Sequence, residues 1–195
     1  MRRLSSQLLV SLEPPDDDEG VLPAIGRALS DVRGRPVRLR SWAFPPTTVS
    51  GLWIDRDGHD VIAYEENTDP EHQLVIIGHE TWHMFQGHCG SHTAPGPAAS
   101  RALGKDAATA LKDLAALVSD ADDVALPKAE RTDAVLHIAA RTDTASMHDE
   151  LEAEHFGIRF ATDVQAALAE ARSSADSTAL AGRIQAVMAH RFRRT

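Results

Sequence analysis

The sequence predicts an α+β protein in which a small antiparallel sheet packs on several helices. Three observations carry this. Residues 36 to 64 hold three short strand-like runs separated by turn residues. Apolar residues recur at helical spacing on both sides of that stretch. The order is therefore a helix, then the strands, then several helices.

Taken in order, the chain opens on Met1-Arg2-Arg3 and a run from Leu4 to Leu12 that imitates a signal peptide. Ser5, Ser6 and Gln7 interrupt its apolar character, and no small-residue cleavage site follows. Residues 13–20 (Glu-Pro-Pro-Asp-Asp-Asp-Glu-Gly) read as exposed loop, so 1–20 is expected to be a flexible leading segment. Leu22, Ile25, Leu29 and Val32 then mark a helix over 21–33, stopped by Gly34. In Pro36–Trp42, Val37, Leu39 and Ser41 alternate with Arg38 and Arg40, a half-buried strand pattern. Ser50–Ile54 and Asp60–Tyr64 flank the turn residues Asp55-Arg56-Asp57-Gly58 and are expected to pair as a hairpin.

Thr68-Asp69-Pro70 opens the next helix, expected from Glu71 to Phe85, with Gly87 ending it. Residues 88–101 read as loop. Helices are expected over Ala102–Val118, Thr132–Ala140 and Ser146 to about Arg172, with a last amphipathic one over Ala179–Arg191. The whole chain is read as a single domain, with 173–195 its C-terminal helix.

Composition narrows the classes of function. The chain has 195 residues and a net charge of −9, which argues against general binding to nucleic acid or anionic membranes. The run Asp16-Asp17-Asp18-Glu19 and the closing Arg191, Arg193 and Arg194 read as solvated charge. Cys89 is the single cysteine, so no intramolecular disulfide can form and a reducing compartment is expected. No apolar stretch approaches the roughly 20 residues that span a bilayer. The expected location is cytoplasmic.

The string His79-Glu80-Thr81-Trp82-His83 fits H-E-x-x-H. On a helix, positions i and i+4 share a face, so both imidazoles reach one metal ion. Glu80 points elsewhere and is poorly placed as a ligand, but it can contact a metal-bound water and act as the base. Three fixed positions in five also recur by chance on surface helices. Leu74, Val75 and Ile76 before the motif and Gly87 after it raise its weight.

A catalytic site of this type needs a third protein ligand and one open position. His148-Asp149-Glu150-Leu151-Glu152-Ala153-Glu154-His155-Phe156 is the best downstream supply. Glu150 and Glu154 stand at i and i+4; one can bind metal while the other orients a histidine ligand. The same run also suits a charged, solvated helix face. His148 and His155 are candidates for a supporting or electrophilic role, as is Tyr64, the only tyrosine. His88 and Cys89 are weaker candidates.

At these two segments the chain resembles the ImmA/IrrE family of zinc metallopeptidases, including its toxin-component-like members. Members share H-E-x-x-H on one helix and E-x-E-A-N-x-F-A on a later one. Here the later segment reads Glu150-Leu151-Glu152-Ala153-Glu154-His155-Phe156-Gly157. Gly51-Leu52-Trp53-Ile54, Val61-Ile62, Gln73 and Gly87-His88 are also similar to the family. The resemblance spans about residues 20–165, with firm motifs only over 73–88 and 150–157. It implies a zincin-like fold, Zn2+ as cofactor, Glu150 as third ligand beside His79 and His83, and cleavage of a regulatory protein such as a helix-turn-helix repressor or an antitoxin. Glu154 stands where the family often has Asn, Gly157 where it usually has Ala, and Ile158-Arg159-Phe160-Ala161 where it has Leu-Leu-Met-Pro. An alternative expectation is a non-catalytic zinc-binding module, or a toxin component, that acts by docking a partner protein. Neither reading implies direct contact with nucleic acid or membrane.

Overall fold

The computed structural model describes residues 1–15, 20–44, 49–56, 58–87, 113, 116–118 and 144–192, with side chains of the last helix described over 148–174. The elements run α1 (Arg2–Ser11), α2 (Val21–Arg33), β1 (Val37–Trp42), β2 (Gly51–Asp55), β3 (Asp60–Glu65), α3 (Pro70–Gln86) and α4 (Thr144–Phe192). This is a mixed α+β fold around one small sheet. The helices expected over 102–118 and 132–140 and the loop expected over 88–101 lie outside the described residues, apart from 113 and 116–118.

The sheet is mixed, not purely antiparallel. Its order is β1-β3-β2. The expected hairpin forms, with Trp53 opposite Ile62, while β1 runs parallel to β3, with Leu39 opposite Ile62. Burial explains why β3 takes the centre. Val61, Ile62, Ala63 and Tyr64 are all buried, so both faces of β3 are covered. The arginines of β1 suit an edge strand, where charge discourages further pairing. On one face Trp53, Ile62 and Tyr64 join the main core with α2, α3 and α4. On the other, Leu52, Ile54, Val61 and Ala63 pack with Phe44 and Val118.

Two further differences concern the ends. Where a flexible leading segment is expected, Arg2–Ser11 forms α1. Its Leu8 joins the main core, and buried Ser5 donates a 2.5 Å hydrogen bond to Asp163 on α4. The two C-terminal helices expected from the sequence are one helix of 49 residues. The Arg-Ser-Ser-Ala-Asp-Ser stretch at 172–177 reads as a break, yet it holds neither Gly nor Pro and the helix passes through it. No helix among the described residues is long and apolar enough to cross a membrane.

Candidate metal centre

The end of the sheet delivers α3 to its place. Gln73 donates from Nε2 to the carbonyls of Glu65 and Glu66, at 3.3 Å each, tying the first turn of α3 to the end of β3. Pro70 fits the first turn because it has no N–H to satisfy there. At the other end Gly87 takes φ 62°, and its N–H caps the carbonyl of His83. Between these stops Leu74, Ile76, Ile77, Thr81, Trp82 and Met84 are buried. The helix is thereby fixed in rotation, and His79 and His83 face α4.

The packing of α4 is equally determined. Ala153, Phe156, Phe160, Ala161, Val164 and Leu168 form its buried stripe. Trp82 meets Phe156 with ring centroids 5.1 Å apart, and Phe156 stacks on Phe160 at 6.2 Å. Glu150 lies at the N-terminal end of that stripe. It thus meets the two histidines across the helix pair.

The donor atoms converge. His79 Nε2 and His83 Nε2 are 3.1 Å apart. Each lies 3.5 Å from a Glu150 carboxylate oxygen. One ligand atom from each of the three residues lies within 4.8 Å of the others, and this is the group among the described residues that could hold a metal ion. Its side chains are sheltered but not sealed: His83 is 6% exposed, Glu150 13% and His79 23%.

Glu80 sits beside this cluster under β2. It accepts a hydrogen bond from the Trp53 backbone N–H. Desolvation pushes its carboxyl up to about 7; His79 and the Trp53 N–H oppose that rise, and the charge of Glu150 adds to it. The strand leaves no room for a side chain at Gly51. A Cβ there would lie 2.6 Å from Ile76 Cγ2 and 2.8 Å from Glu80 Oε1.

The remaining candidates are not brought to the cluster. Glu154 and His155 are exposed on α4. His148 is 71% exposed and pairs with Glu152 at 3.5 Å. Tyr64 is buried in the main core, where it lines a groove between α2 and β1 of about 660 Å³, and its hydroxyl is hydrogen-bonded to the Ser41 side chain. Burial raises the Tyr64 pKa against that hydrogen bond. His88 and Cys89 lie outside the described residues.

Three residues that shape the site are given no role there by the sequence. Gly51 and Trp53 act on Glu80 from β2, and Gly157 acts on α3 from α4. The signal for Gly157 was present, a glycine in mid-helix with no turn to explain it. Nothing in a strand pattern marks Trp53 as a backbone donor. Comparisons of the chain with protein-family models, with curated proteins and with solved structures find no match.

Proposed function

We propose that this chain is a zinc-dependent endopeptidase with Glu80 as its general base, acting on a regulatory protein such as a helix-turn-helix repressor or an antitoxin. The observation that carries the reading is the convergence of two imidazoles and one carboxylate from two helices. For bonds of about 2.0–2.1 Å, a tetrahedron of ligands has edges of roughly 3.3–3.4 Å. The two imidazole nitrogens are 3.1 Å apart and each lies 3.5 Å from a different oxygen of Glu150. With one donor atom per residue the three lie within 4.8 Å of one another, so the Glu150 carboxylate needs only to turn one oxygen toward both histidines to approach that geometry. Two His and one Glu, with a fourth position left over, is a donor set that catalytic zinc sites use.

Zinc held there would acidify a water and polarise a peptide carbonyl. The chain's own residues supply the rest. Glu80 has its carboxyl held by the Trp53 N–H and is not among the three residues whose donor atoms converge. Its buried carboxyl, with a raised affinity for protons, is suited to take a proton from water and return it to the leaving amine. A dication nearby would oppose that rise and favour the carboxylate form. The class of substrate rests on the resemblance at residues 73–88 and 150–157.

Metal analysis and a cleavage assay test this together. The purified chain is expected to carry about one zinc ion, lost in His79→Ala and His83→Ala. Glu80→Gln is expected to keep the zinc and to cleave a proteome-derived peptide library about 10²–10⁴-fold more slowly, read by mass spectrometry. A zinc-loaded Glu80→Gln chain that cleaves like the wild type would sink the mechanism.

A further inference from the structure

The backbones of α3 and α4 come close together where Gly78 meets Gly157. A Cβ on Gly78 would lie 2.9 Å from Gly157 Cα and 2.9 Å from Phe160 Cβ. A Cβ on Gly157 would lie 2.5 Å from the Val75 carbonyl oxygen and 3.2 Å from the His79 nitrogen. Two of these four neighbours are backbone atoms of α3, which cannot rotate away. The contact lies directly beside the first histidine of the cluster. Glu150 is seven residues upstream of Gly157 on α4 (157 − 150 = 7), which is about two turns and returns to the same face. Ala153, fully buried between them, lies on that face too.

We infer that the Gly78–Gly157 crossing is the positioning element of the metal centre, setting how far Glu150 reaches toward His79 and His83. The inference rests on the metal-binding part of the reading above and not on cleavage. Magnitudes favour it. Ordinary contact begins near 3.5 Å, so a methyl group on Gly157 requires the helices to part by about 1 Å. Metal–ligand bonds tolerate only about 0.2 Å. The shift at the crossing therefore exceeds what the cluster can absorb, and the weakest-held ligand yields. His79 and His83 sit on one helix and move together. Glu150 comes from the other helix and moves away from both.

The test is zinc affinity of the full-length chain, measured by competition with a chromophoric chelator. Gly157→Ala is expected to weaken zinc about 10–100-fold, the range found when support of a ligand is lost. Gly78→Ala approaches the same contact from α3 and is expected to act in the same direction. Because the effect runs through Glu150, adding Gly157→Ala to Glu150→Ala is expected to change affinity no further. Val164→Ala, in the core two turns beyond the crossing, is expected to lower the unfolding midpoint while leaving zinc affinity unchanged.

Four results would overturn the inference. They are wild-type affinity in a folded Gly157→Ala chain, full additivity in the double variant, an equal loss in Val164→Ala, and loss of helicity in both glycine variants. A wild-type chain that binds no zinc would instead remove the metal reading, and this inference with it.

Discussion

At the start of β3, Asp60 is fully buried and receives four hydrogen bonds. Arg33 Nε and Arg35 Nε donate to one carboxylate oxygen at 2.9 and 2.7 Å. Arg35 Nη2 and the Trp53 indole N–H donate to the other at 2.5 and 2.8 Å. Arg35 also pairs with Asp55. Between α3 and α4, by contrast, two imidazoles and the Glu150 carboxylate converge beside a second carboxylate, Glu80. The first cluster balances two guanidiniums against two carboxylates. In the second, the charge of Glu150 raises the proton affinity of Glu80, so the group gains from any cation that enters. A polar cluster whose charges pair off fastens the fold, whereas one with converging lone pairs could hold a cation.

The contrast breaks most visibly at Asp60. Burial alone would raise its pKa, but the hydrogen bonds from Arg35, Trp53 and Arg33 outweigh it and hold the carboxyl below its ordinary range. Arg35 is raised in turn, mainly by its hydrogen bond to Asp60. Asp60→Asn is therefore expected to cost about 3–5 kcal/mol at pH 7, because it leaves the guanidiniums short of a counter-charge. The sign with pH follows from the lowered value. The contribution of Asp60 is complete above the unfolded pKa of about 3.9 and is lost as pH falls through it toward the folded value. The gap between wild type and Asp60→Asn in chemical denaturation should narrow between pH 7 and pH 3. An equal gap at both would mean the carboxylate charge is not what the cluster uses. Zinc affinity should not change in this variant.

A smaller effect is expected at Gly51, on the other side of the comparison. Ala at this position meets Ile76 and Glu80 at sub-contact distance. Overpacking of this kind costs about 1–3 kcal/mol. Ile76 must shift within the core and Glu80 must swing, so cleavage should fall by about 10²-fold beside that loss of stability, with zinc retained. Wild-type cleavage in a folded Gly51→Ala chain would show that Glu80 need not occupy its present place.

How legible these features were in the sequence follows from the range of the interactions. His79 and His83 were readable because a helix converts a spacing of four into a shared face, a purely local rule. Glu150 was readable only through the motif around it, since nothing local says which downstream helix returns to α3. The strands were readable from alternation, but not their order. Alternation in Val37–Ser41 fixes which side chains face the core, not which strand lies alongside. The unbroken apolar run Val61-Ile62-Ala63-Tyr64 did hold the clue that β3 is central. Gly157 reads from the sequence as a departure from the Ala usual in the family that the chain resembles. The structure gives it a reason, because an added methyl would meet the Val75 carbonyl at 2.5 Å. The Asp60 cluster could not be foreseen at all, as it gathers residues from α2, the turn after it, β2 and β3.

Trp53 is the residue the two clusters share, and it offers the smallest but sharpest test of their independence. Its indole N–H donates to Asp60, while its backbone N–H donates to Glu80. Trp53→Phe removes the first donor, keeps an aromatic ring in the core, and leaves the second donor in place. Asp60 would still hold both arginines, so the expected loss is about 1 kcal/mol, one net hydrogen bond. If the clusters are separate, zinc affinity and the rate of cleavage stay at wild-type values, because the bond that holds Glu80 belongs to the main chain of β2. A drop in cleavage comparable with that of Gly51→Ala would mean that the indole, by fixing the strand, also fixes the base. The self-neutralising cluster would then be part of the catalytic apparatus and not merely a fastening of the fold.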